Sequence, residues 1–150
     1  MVEKENDKIH PNAMEYEDFE EHYAKINGID LYYECENAEK SSHNNQKMVV
    51  VLVHGWTANR FRIHPLFLYF KDNGYPVFRM DLRGHGWSQK DDELDYTLPS
   101  FVADVHEFLQ KIVVDEYGYS DVLLIGHSMG GLIVQGVMCE HQPKFVKNSR

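Results

Sequence analysis

Two cysteines, no cluster of lysine and arginine, and no long apolar run set the first limits on this 150-residue chain. Cys35 and Cys139 stand far apart and need not pair, so no disulfide framework is expected and both thiols read as free and buried. A formal charge of −9 without a cationic patch argues against nucleic acid and anionic membrane surfaces as partners. No apolar stretch approaches the ~20 residues that cross a bilayer, so no membrane span is expected. The opening Met1-Val2-Glu3-Lys4-Glu5-Asn6-Asp7 lacks the hydrophobic segment of a secretion signal, which leaves the cytoplasm as the expected compartment. Internal repeats and low-complexity tracts are also missing. What remains is globular in character: 43% hydrophobic and 13% aromatic, long enough for one domain with a sizeable core.

Residues 1–20 are acidic and lack periodicity, so they read as an N-terminal arm, with a short helix near Met14 to Glu20 as the alternative. From residue 21 to 150 the pattern is that of one domain. His22 to Ile26 and Ile29 to Glu36 flank Asn27-Gly28, a pair that tolerates the positive φ of a type I′ hairpin turn. Asn37 to Lys47 is polar and loop-like. Met48 to Val53 is apolar at every position, the pattern of a strand buried on both faces. A helix is predicted from near Pro65 to the Asp72-Asn73-Gly74 stop, and a strand over Tyr75 to Asp81. Leu98, Phe101, Val105, Phe108 and Ile112 recur at helical spacing. Val122 to Ile125 reads as a strand and Met129 to about Cys139 as a helix. A hairpin followed by strands alternating with helices predicts an α/β fold with a mostly parallel sheet.

Three unusual loops follow three of these strands. They are His54-Gly55-Trp56, Asp81-Leu82-Arg83-Gly84-His85-Gly86-Trp87-Ser88, and Gly126-His127-Ser128-Met129-Gly130. Ligands of open α/β sheets bind beyond the carboxyl ends of the strands, so the three loops share one rim. The third has the Gly-x-Ser-x-Gly pattern between strand and helix, the context of a nucleophile elbow. Glycines on either side of a sharp turn remove Cβ clashes and push the serine outward.

On these three motifs, in this order and spacing, the chain resembles the N-terminal half of an α/β-hydrolase fold protein. The group includes esterases, lipases, lactonases and monoglyceride-lipase-like enzymes, and the likeness runs from about His22 to at least Val146. The resemblance implies a sheet whose first five strands follow an order of about 1-2-4-3-5 between flanking helices, the later strands and the cap being absent. It implies Ser128 as the nucleophile and the backbone N–H groups of Met129 and Trp56 as the oxyanion hole. Gly55, Gly126, Gly130, His54 and His127 are then elbow and loop support. No cofactor is implied, and the substrate is a small acyl or ester compound. The physics agrees with Met129: the first amides of a helix lack internal partners and favour negative charge. Related dehalogenases and epoxide hydrolases resemble this pattern but carry aspartate at the nucleophile, so serine favours acyl transfer through an acyl-enzyme.

A serine needs a histidine base and a carboxylate to orient it, in the chain order Ser, Asp or Glu, His. After Ser128 this sequence offers Glu140 and His141, on or just past the helix that follows the elbow. The resemblance implies that the acid and base come from loops after later strands; His141 to Lys147 resembles the family's helix end and the lead-in to its sixth strand. His127, His54 and His85 read as structural. His106-Glu107 begins like a zinc-protease helix, but Gln110 stands where the second histidine is needed, so no metal site is expected. Asp81 and Arg83 are expected to tie their loop together, Asp104 to brace a loop, and Ser88 to be exposed. Trp56 and Trp87 either line a pocket or cover the rim. A sheet ending at Val122–Ile125 would bare an apolar edge, so this chain alone is expected to be poorly soluble, molten, or paired with something, self-association through that edge included. The functional reading is a serine ester hydrolase, truncated before its acid and histidine and hence weak or inactive alone. The alternatives are a non-catalytic binding or regulatory remnant, or half of a split enzyme completed in trans.

Overall fold

The computed structural model describes residues 19–149. Most of the acidic arm predicted over residues 1–20 thus lies outside the described residues. Phe19 packs edge-on against Phe67, with ring centroids 5.3 Å apart. His22–Ile26 (β1) and Ile29–Glu36 (β2) form the predicted hairpin. Asn27 and Gly28 take φ of 48° and 81°, the two positive values that a type I′ turn requires. The polar stretch after it contains one 3-10 turn, Ser42–Gln46.

Met48–Val53 (β3) is the inner wall of the molecule, and its alternate residues enter two different cores. Val49, Val51 and Val53 face a large cluster, while Val50 and Leu52 face a small one with Ile63, Phe67 and Val77. The period of two in a strand sends successive side chains to opposite faces, so an all-apolar strand implies cover on both. The small core is capped by α1 (His64–Asp72), which contributes Phe67. The chain then returns through β4 (Val77–Met80). Leu98–Phe108 (α2) carries the predicted stripe, with Phe101, Val105 and Phe108 buried in the large core. The helix continues in wider π-type turns over Leu109–Glu116. Asp121–Gly126 (β5) leads into α3 (Met129–Glu140).

The sheet order is β1-β2-β4-β3-β5-β6, where β6 is Val146–Ser149. β3 is parallel to β4 and β5, and β2 is antiparallel to β4. The first five strands follow the predicted order, but the sheet does not end at β5. Strand β6 pairs with it in parallel, Val122 opposite Val146, so the apolar edge expected at Val122–Ile125 is covered there. On the α1 face, Leu123 and Ile125 are only partly buried.

Two burial expectations are corrected. Cys139 is exposed, because α3 turns Val134 and Val137 inward; Cys35 is half-buried, and both thiols are free. Ser88 is buried, not exposed, because its hydroxyl donates to the Asp81 carbonyl and accepts the Tyr32 N–H across to β2. No helix among the described residues is long and apolar enough to cross a membrane.

Candidate active site

The β5–α3 junction places Ser128 at φ 56°, ψ −123°. A non-glycine residue with positive φ is uncommon and carries strain. Its side chain makes no helix-capping hydrogen bond, and the residue is exposed. The hydroxyl is therefore not spent on the fold. Around it the backbone is tied tightly. The His127 N–H donates to the Val53 carbonyl at 2.9 Å, which fixes the elbow to the end of β3. The Gly130 and Gly131 N–H groups donate to the carbonyls of His127 and Ser128 at 2.9 and 2.8 Å. A Cβ on Gly126 would strike the Gly130 backbone, and one on Gly130 would strike the carbonyls of Val53 and His54. The two glycines are thus required by close backbone approach.

The His54-Gly55-Trp56 loop lies against this elbow. A Cβ on Gly55 would stand 3.0 Å from both the His127 carbonyl oxygen and the Ser128 Cβ, and 3.4 Å from the Met129 nitrogen. The N–H of Met129 opens α3, where amides have no intrahelical acceptor. The side chain of Trp56 is 54% exposed at the rim.

Two histidines hold this loop from behind. His54 is fully buried; its Nε2 accepts the Leu82 N–H at 3.0 Å, and its Nδ1 lies 2.7 Å from the Gly55 carbonyl. Since Nε2 must accept, the proton sits on Nδ1 and donates to Gly55. Burial pushes the His54 pKa down to about 4, so the ring is neutral near pH 7. With both nitrogens engaged it is a brace between the loops after β3 and β4. His85 is built alike: its Nε2 accepts the Thr57 N–H at 3.2 Å and its Nδ1 meets the Arg83 carbonyl at 2.8 Å.

Beneath the rim runs a buried ionic network that sequence reasoning did not find. Glu34 on β2 sits opposite Arg79 on β4 and accepts its Nε at 2.6 Å. Glu34 also accepts the Tyr32 hydroxyl at 2.8 Å and the Arg60 Nε at 3.0 Å. Asp81 accepts the Arg60 N–H at 2.8 Å, its Nη1 at 2.5 Å and the Trp87 N–H at 2.9 Å. Burial opposes the Arg60 charge, but Asp81 and Glu34 outweigh it and hold its pKa above the usual guanidinium value. The Trp87 ring lies 4.0 Å from the Arg60 guanidinium carbon, so Trp87 packs inward while Trp56 stands at the rim. The signal available in the sequence was a charged residue, Arg79, inside an apolar strand; such a charge demands a buried partner.

Asp81 does tie its loop, through Arg60 and Trp87. Arg83 pairs elsewhere, binding Asp104 by two bonds of 2.6 and 2.7 Å. Asp104 also accepts the Asn27 Nδ2 at 2.9 Å, linking the hairpin turn to the rim loop. Glu140 and His141 stay at the far end of α3, roughly 18 Å of helix from the elbow. His141 stacks there on His106, ring centroids 3.9 Å apart. Among the described residues no group of three His, Cys, Asp or Glu could hold a metal ion.

The strand order, the strained serine elbow and the glycine loop against it define the α/β-hydrolase class. A family model described as serine aminopeptidase, S33, matches residues 44–148, and the chain belongs to this family within the α/β-hydrolase superfamily. The monoacylglycerol lipase of Mycolicibacterium smegmatis is 30% identical over 115 residues, 77% of this chain and 39% of that protein. The sn-1-specific diacylglycerol lipase ABHD11 of Xenopus tropicalis is 32% identical over 99 residues, 65% of this chain and 28% of that protein. The crystal structure of epoxide hydrolase VrEH1 from Vigna radiata superimposes with a TM-score of 0.71 at 20% identity, covering 87% of this chain and 38% of that one. At this identity the likeness is one of fold. The chain spans about a third of the length of the curated relatives it matches.

Proposed function

We propose that Ser128 is the nucleophile of a serine hydrolase acting on carboxylic esters or related acyl compounds through an acyl-enzyme. The observation that carries this reading is the backbone of Ser128, held at φ 56° with an exposed side chain that caps nothing. Strain of this kind persists where the surroundings over-determine it, and it clusters at reactive sites. In this reading residues 21–150 form the N-terminal part of a single hydrolase domain, and the orienting carboxylate and the histidine base come from chain that completes the domain. The Ser128 Oγ attacks the ester carbonyl carbon while the base takes its proton. The carbonyl oxygen becomes an oxyanion between the N–H groups of Met129 and Trp56, each such donor being worth about 10²–10³ in rate. Collapse releases the alcohol with the proton returned by the base, and water then cleaves the acyl-enzyme to the acid. A serine in place of aspartate supports acyl transfer over epoxide opening. The lipase names among the relatives and the exposed Trp56 support an apolar acyl group.

The test is a fluorophosphonate probe on the full-length protein, read by mass spectrometry. Labelling at Ser128 that disappears in Ser128→Ala is the expected result. A folded protein that stays unlabelled at Ser128 overturns the reading.

A further inference from the structure

Thr57 is the odd residue of the loop beside Ser128. The Ala58 N–H reaches back to the Gly55 carbonyl at 3.4 Å, closing a four-residue turn, Gly55-Trp56-Thr57-Ala58. Thr57 is its third residue and has φ 56°, while Trp56 is not among the residues of positive φ. One positive φ at the third position is the mark of a type II turn, where glycine or asparagine is favoured. A β-branched side chain there is a genuine outlier. Without restraint, the central peptide of such a turn relaxes by flipping to type I, which returns the third residue to negative φ. That flip would exchange the places of the Trp56 carbonyl and the Thr57 N–H, next to the Trp56 N–H.

The restraint comes from His85. The Thr57 N–H, half of that central peptide, donates to Nε2 of His85 at 3.2 Å. Nδ1 of His85 is fixed by the Arg83 carbonyl at 2.8 Å, and Arg83 is itself clamped to Asp104. The His85 ring is wedged among Trp56, His54 and Phe101, at centroid distances of 5.4, 5.2 and 6.0 Å. We propose that His85 is a positioning residue: as an acceptor of the Thr57 N–H it holds the Trp56–Thr57 peptide in its strained orientation and so fixes the loop that carries the Trp56 N–H beside Ser128. This assignment rests on the serine-hydrolase reading for its consequence, but the clamp itself does not.

Three variants of the full-length protein test it: His85→Phe, which keeps a ring without an acceptor; His85→Gln, which keeps an acceptor; and Thr57→Gly, which removes the strain. The first readout is hydrogen exchange at the Thr57 amide. His85→Phe should speed it at least about tenfold with the Val50 and Leu52 amides unchanged, and His85→Gln should not. The second is the rate of fluorophosphonate labelling at Ser128, expected to fall about tenfold in His85→Phe and to recover in the double variant His85→Phe/Thr57→Gly, since glycine adopts the turn without the clamp. A merely structural histidine would not be rescued by Thr57→Gly. Unchanged Thr57 exchange in His85→Phe overturns the proposal, as does a double variant labelled as slowly as the single. If His85→Phe does not fold, slow Thr57 exchange in His85→Gln supports the clamp and fast exchange overturns it. If wild-type Ser128 is unlabelled, the hydrolase reading fails and the exchange data alone decide the clamp.

Discussion

Acid should loosen this fold through His54. The ring has no exposed surface, donates from Nδ1 to Gly55, and receives the Leu82 N–H on Nε2. Protonation would turn that acceptor into a donor facing another donor. Burial accordingly lowers its pKa from 6.5 to about 4. In the unfolded chain the same imidazole titrates near 6.5. Between those values the unfolded state binds a proton that the native state refuses, so stability is complete above about pH 7 and falls as the pH drops. The shift corresponds to a loss of about 2 kcal/mol by pH 5 and roughly 3 kcal/mol by pH 4. Urea denaturation at stepped pH, run in parallel on wild type and His54→Gln, isolates this contribution. The variant starts less stable at pH 7, but its curve should be flatter over pH 6.5 to 4 by about that amount. Parallel curves, or a His54 ring proton titrating near 6.5 by NMR, would refute the reasoning.

Two further outcomes follow from the geometry. Asp104→Ala leaves the Arg83 guanidinium without its paired acceptor and frees Asn27, so urea unfolding should show a loss of about 3–5 kcal/mol, larger than the same change at exposed Asp92. Gly130→Ala drives a methyl group into the Val53 and His54 carbonyls, so Ser128 labelling should fall at least about a hundredfold while a Gly131→Ala control keeps most of it.

The parts of the fold legible in the sequence are those dictated by local pattern. Met48–Val53 announced cover on both faces, Asn27-Gly28 announced its turn, and the stripe from Leu98 announced its helix. The elbow was legible because its glycines answer a steric need four residues wide. What escaped depends on neighbours distant in sequence. Arg79 stands out as a charge inside an apolar strand, but its partner Glu34 looks like an ordinary surface charge until antiparallel pairing of β2 with β4 sets the two opposite each other. Arg60 joins them only after the loop beyond β3 folds over Asp81. Ser88 reads as exposed until the Tyr32 amide of β2 reaches it. The strain at Thr57 has no composition signal, because threonine in a turn says nothing about the sign of φ.

The left-handed serine makes the candidate site a gauge of its own scaffold. Released from Val53, His127 and the two flanking glycines, a serine relaxes to ordinary dihedrals and recovers about 1–3 kcal/mol. Its hydroxyl would then be one among the many in the chain. Selective labelling of Ser128 would therefore count the molecules whose scaffold is intact.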